Sequence, residues 1–180
     1  MATELWCARA LVADGWADAV RMEIDADGRI QALIPGTDAS GARCLDGLVL
    51  PGMPNLHSHG FQRALAGLTG ERLSAKDDFW SWRQAMYALA GRLEPDTLEA
   101  LLAGLFADML EAGYTACAEF HYLHHAPDGR PYADRAELAR RVLRAARAAG
   151  MPLTLLPVWY QRAGFGADDV APEQIRFWND

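Results

Sequence analysis

The chain has 180 residues, a net charge of −7, 51% hydrophobic and 23% charged residues, and three cysteines, enough for one good-sized domain with a real core. No apolar run approaches the roughly 18 residues that cross a bilayer, and no basic cluster offers a surface that would track phosphates, so neither membrane nor nucleic acid is an expected partner. Cys7, Cys44 and Cys117 form no CxxC pair, and the start shows no basic segment leading into an apolar stretch; a reducing cytoplasm is expected, with all three thiols as buried small hydrophobes.

Residues 1–50 read as a small β-rich segment. Two β-prone stretches, Glu4–Ala13 and Ala19–Asp25, lead into the turn Asp25-Ala26-Asp27-Gly28, and Arg29–Ile34 completes a hairpin that Pro35-Gly36 ends. From residue 51 the pattern changes. Met53–His59 is an apolar strand ending in polar residues. Phe79, Trp82, Met86, Leu89 and Leu93 recur at helical spacing. A second helix is expected from Pro95 to Gly113, with Leu98, Leu101, Leu105 and Met109 on its buried face.

Tyr114–Tyr122 is the next strand. Asp134 and Glu137 read as a capping box for a helix running to Gly150, and Pro152–Tyr160 is a third strand. Residues 161–180 are rich in turn formers and suggest no element. The order β, α, α, β, α, β with apolar strands predicts an α/β fold with right-handed crossovers and a parallel sheet. Three strands are too few to close a barrel, which takes about eight.

The segment Pro51-Gly-Met-Pro-Asn-Leu-His57-Ser-His59-Gly carries the strongest chemical signal. Residues two apart on a strand share a face, so both imidazoles project the same way, at the strand end where barrel enzymes place their chemistry. Neutral imidazole is a common zinc ligand, and two on one face can converge on one ion. The plain alternative is two histidines making ordinary hydrogen bonds.

This arrangement resembles the amidohydrolase superfamily, whose first barrel strand supplies a His-x-His pair to a divalent metal. Three blocks sharpen the resemblance: His57-Ser-His-Gly-Phe-Gln-Arg-Ala-Leu-Ala-Gly-Leu-Thr, Phe79-Trp-Ser-Trp-Arg-Gln-Ala-Met-Tyr, and Glu119-Phe-His-Tyr-Leu-His-His125. In this order and spacing they look like formimidoylglutamate deiminases. The resemblance implies a β-rich, sandwich-like segment over 1–50, followed over 51–180 by roughly the first three β/α units of a TIM-like metal-dependent barrel. It implies one divalent ion, expected as Zn²⁺, held by His57 and His59. It implies substrate contacts from Gln62, Arg83 and Tyr122, and hydrolysis of N-formimidoyl-L-glutamate to N-formyl-L-glutamate and ammonia.

The residue chemistry is compatible. The substrate carries two carboxylates, which an arginine fork can take in bidentate fashion, while Gln62 and Tyr122 add hydrogen-bonding groups. Without the resemblance, Arg83 would read as a solvated helix residue and Tyr122 as packing. His121, His124 and His125 read as structural, with His121 buried and Glu119 its partner on the same strand face; Trp80 and Trp82 read as packing. The remaining metal ligands and the acid/base group are expected beyond Asp180, from later strands of a complete barrel that could form a homodimer. Two other readings are carried forward: a related deaminase acting on a purine, pyrimidine or triazine ring, and a non-catalytic partial domain that self-associates through open sheet edges.

Overall fold

A computed structural model describes residues 3–69, 78–167 and 169–179. It divides into two compact units, Met1–Gly52 and Met53–Asp180.

The first unit is a four-stranded sheet in the order β3-β2-β1-β4, formed by β1 (Thr3–Val12), β2 (Gly15–Ile24), β3 (Ile30–Ile34) and β4 (Arg43–Val49). β1–β2 and β2–β3 are antiparallel, whereas β1–β4 is parallel. The Asp25 carboxylate accepts from the backbone N–H groups of Asp27 and Arg29 and closes the expected turn. β4 was not signalled by the sequence, because Asp46-Gly47 interrupts its apolar run. Gly47 sits at φ 79°, and the β1–β4 register shifts opposite it between Cys7 and Arg9, so the glycine absorbs a bulge. Cys7, Ala10, Val20 and Met22 form the small core.

The second unit carries a three-stranded parallel sheet in the order β5-β6-β7: β5 (Met53–Ser58), β6 (Tyr114–His121) and β7 (Leu153–Pro157). After β5 comes a 3₁₀ segment, Gly60–Leu65, then α1 (Phe79–Ala90) and α2 (Pro95–Glu111); α3 (Glu137–Ala149) joins β6 to β7. The α/β fold class holds, as a β-rich segment followed by three parallel strands with helical crossovers, and the described residues form no closed barrel.

Leu98, Leu102, Phe106, Leu138 and Val142 are at most 1% exposed and join the two long helices in one core. Full burial of each large aliphatic or aromatic side chain contributes roughly 1.5–3 kcal/mol. Above this core, Arg141 on α3 pairs with Glu137, Glu99 and Asp96, bridging to α2.

Local expectations are corrected at several points. The buried face of α2 is the i, i+4, i+8 row Leu98, Leu102 and Phe106, while Leu101, Leu105 and Met109 are partly buried on its flank. The capping box at α3 does not form: the Asp134 carboxylate accepts from Ala136 N and Arg140, and Glu137 turns to Arg141. Instead, Asp78 caps α1, accepting from Trp80 N and Ser81 N, with Ser81 Oγ returning to Asp78 N–H as acceptor. Cys44 is exposed while Cys7 and Cys117 are buried. Trp80 and Phe79 are 64% and 57% exposed, so of the two tryptophans only Trp82 packs on the core.

Candidate active site

β5 ends at Ser58, one residue before His59, and its pairing with β6 shifts register between Asn55 and Ser58. Such irregularities re-aim side chains at strand ends. Here His57 Nε2 and His59 Nε2 lie 2.9 Å apart. Two nitrogens that each sit about 2.0–2.1 Å from one ion are separated by roughly 2.9–3.4 Å, so the pair has the spacing of two ligands sharing one metal. His59 Nδ1 faces the Phe120 carbonyl at 3.3 Å; with the proton on Nδ1, the Nε2 lone pair is free to ligate. Burial, and then the neighbouring His57, hold the His59 imidazole below the ordinary range near 6.5, against a raising contribution from Phe120, which favours the neutral form that binds metal. The His57 ring stacks on Phe120 with centroids 4.4 Å apart.

Among the described residues, no group of three or more His, Cys, Asp or Glu side chains is placed to hold a metal. The donor set supplied here is therefore two imidazoles. They fit a divalent ion as part of a larger ligand set.

Beneath the pair, the Gly60 N–H donates to the Glu119 carboxylate at 2.7 Å. That bond ties the start of the 3₁₀ segment to β6. Glu119 is 2% exposed and its other oxygen, Oε2, has no partner among the described residues; burial pushes its pKa up. The expected Glu119–His121 pairing does not occur. His121 is buried but its Nε2 is unpartnered among the described residues. His124 and His125 instead fasten the segment after β7 and the tail, through Nε2 contacts to the carbonyls of Val158 at 2.8 Å and Trp178 at 2.6 Å.

Next to the histidine pair is a cavity of about 230 Å³ whose walls include His59, Gln62, Arg83 and Tyr122. Residues from three separate stretches thus meet around one space. Gln62 reaches it from the 3₁₀ segment, where its N–H bonds the His59 carbonyl at 2.9 Å. Arg83 projects from α1, and Tyr122 follows β6, with its ring centroid 5.2 Å from that of His59. Arg83 Nε donates to the Tyr87 hydroxyl at 2.8 Å, which holds the guanidinium above its ordinary pKa and fully charged.

Sequence reasoning missed the contribution of the tail. Gln174, Arg176 and Phe177 are each at most 3% exposed. Arg176 donates to the carbonyls of His125 and Ala90, and Phe177 and Tyr160 complete the cavity wall. The one local signal was a Gln, an Arg and a Phe within the four residues Gln174–Phe177, amid turn formers.

Residues 48–173 match the amidohydrolase family, and residues 3–45 match the N-terminal domain of formimidoylglutamate deiminase HutF. The chain belongs to the amidohydrolase family. It is 54% identical to a formimidoylglutamate deiminase of Pseudomonas aeruginosa over 175 residues, which is 97% of this chain and 39% of that protein. A crystal structure of an amidohydrolase from Brucella melitensis superimposes with a TM-score of 0.92 at 46% identity, covering 99% of this chain and 40% of that one. Zinc-complexed atrazine chlorohydrolase TrzN from Arthrobacter aurescens shares the fold, with a TM-score of 0.63 at 19% identity over 85% of this chain and 35% of that one. The chain thus spans about two fifths of the length of the first two of these relatives. Among the described residues, no helix is long and apolar enough to cross a membrane.

Proposed function

We propose that this chain supplies the metal-binding histidine pair and part of the substrate pocket of a formimidoylglutamate deiminase, acting on N-formimidoyl-L-glutamate to give N-formyl-L-glutamate and ammonia. The observation that carries the reading is the cavity that brings Gln62, Arg83 and Tyr122 beside His57 and His59. The 54% identity to the Pseudomonas aeruginosa deiminase supports the choice of substrate.

In this reading His57 and His59 hold one divalent ion, zinc by ligand type. When bound, such an ion supplies a water acidic enough to act as hydroxide near neutral pH, with a pKa of about 7. The Phe120 carbonyl fixes the His59 tautomer and ring direction. Arg83, charged and facing the cavity, takes one substrate carboxylate through the N–H groups left on Nη1 and Nη2. Gln62 and the Tyr122 hydroxyl hydrogen-bond the remaining polar atoms of the substrate. The aromatic walls from Trp82, Tyr122 and Phe177 exclude water and strengthen these contacts. In this reading residues 1–50 form the β-rich segment and residues 51–180 the barrel portion, a division supported by the two units that part at Gly52 and Met53.

The test is ammonia release by the zinc-loaded protein, expressed from its whole gene, with N-formimidoyl-glutamate, guanine and cytosine compared side by side. Turnover of the first and not of the bases is expected. Preference for a ring substrate would overturn the assignment.

A further inference from the structure

We infer that Gln174 is a positioning residue, which through the hydroxyls of Tyr87 and Tyr160 fixes the orientation in which Arg83 meets a substrate carboxylate. The inference deepens the proposed function and rests on its assignment of a carboxylate to Arg83.

Arg83 and Tyr87 lie one turn apart on α1, and the guanidinium gives its Nε–H to the Tyr87 hydroxyl at 2.8 Å. Arg83 is in no ion pair among the described residues, and the hydroxyls of Tyr87 and Tyr160 raise its pKa. An arginine stem samples many rotamers, so a single bond to a freely rotating hydroxyl would order it little. That hydroxyl is held by a second bond. Gln174 Nε2 donates to the Tyr87 hydroxyl at 2.8 Å and to the Tyr160 hydroxyl at 2.8 Å.

The direction of these bonds is fixed by the other end of the same amide. Gln174 Oε1 accepts the Ala171 N–H at 3.0 Å, so the nitrogen must face the tyrosines and both of its hydrogens are committed to them. Gln174 is itself 3% exposed and cannot swing out to water. Tyr87 oxygen accepts from Arg83 and Gln174 together. Tyr160 oxygen accepts from the same amide, and its side chain lines the cavity. The chain of bonds therefore holds the Arg83 fork, which lines the cavity, in one orientation. A pre-aimed fork avoids the ordering cost that a mobile one meets on binding.

The test uses the zinc-loaded protein expressed from its whole gene. Glutarate, a dicarboxylate without the reactive formimidoyl group, is titrated calorimetrically, and kcat and KM are measured with N-formimidoyl-glutamate. Tyr87→Phe and Gln174→Leu are each expected to weaken glutarate by roughly tenfold, the worth of about one hydrogen bond to a charged group. KM should rise by more than kcat falls, with metal content unchanged. Because the effect passes through Arg83, adding Tyr87→Phe to Arg83→Met should cost nothing further.

Wild-type glutarate affinity in Tyr87→Phe, or full additivity with Arg83→Met, overturns the positioning role. If Arg83→Met weakens glutarate while Tyr87→Phe does not, only this inference fails. If Arg83→Met binds glutarate as the wild type does, the proposed substrate contact fails with it. Wild-type glutarate affinity in a folded Gln174→Leu also overturns it, and Tyr87→Phe, being nearly isosteric, tests the link through which Gln174 acts even where Gln174→Leu does not fold.

Discussion

His57 Nε2 and His59 Nε2 face each other at 2.9 Å at the end of β5, closer than two unprotonated imidazole nitrogens approach without a proton or a cation between them. This relationship makes the first prediction. His57→Ala or His59→Ala is expected to strip the metal and abolish turnover. Metal analysis of the purified variants checks it, and wild-type zinc content in either one would refute the ligand assignment.

Arg83→Met is expected to damage substrate recognition far more than metal binding. Losing one partner of a charge-assisted pair in a desolvated site costs about 2–5 kcal/mol, or some thirtyfold to several thousandfold in kcat/KM. Steady-state kinetics beside metal analysis reads the two effects separately. An unchanged kcat/KM would return Arg83 to the role of a surface residue.

Acid should destabilise the folded protein partly through His121. This imidazole is 4% exposed, and burial pushes its pKa down to about 3. An unfolded chain protonates it near pH 6.5, so between about pH 6.5 and 3 the unfolded state holds a proton that the folded state lacks. Its contribution to stability is complete above pH 6.5 and is lost as pH falls, at up to about 1.4 kcal/mol per pH unit. Denaturant unfolding of wild type and His121→Asn from pH 7 to 4 checks this. The variant should lose stability less steeply, and parallel curves would rule the residue out as the source.

Residues 1–180 expressed alone should release no ammonia from N-formimidoyl-glutamate with added zinc. Two histidines fall short of the three protein ligands usual for catalytic zinc, and the described residues hold no further group of ligands. Leu56 and Met53, on the edge strand β5, are 73% and 51% exposed, so self-association is also expected. Size-exclusion chromatography with an ammonia assay tests both expectations; a monodisperse monomer with turnover would sink them.

Much of this protein is legible in its sequence because the signals are local. His57-x-His59 at the end of an apolar strand, Pro95 opening α2 and the alternation of strands with helices all follow from spacings within one element. Resemblance of three short blocks was enough to single out Gln62, Arg83 and Tyr122, although nothing in their local sequence distinguishes a cavity wall from a solvated face. Tertiary structure decided the rest. Whether Leu101 or Leu102 is buried depends on how α2 docks into the core of its unit, since neighbouring positions on an apolar helix are equivalent until a partner is docked. Glu119 bonds the Gly60 N–H rather than His121 because strand pairing brings a backbone donor from 59 positions away. The tail, with no periodicity to read, sends Gln174 to the Tyr87 hydroxyl across a separation of 87 positions. Contacts of that range belong to no sequence pattern: they exist only once burial has packed the segments together and forced each polar group in the interior to find a partner.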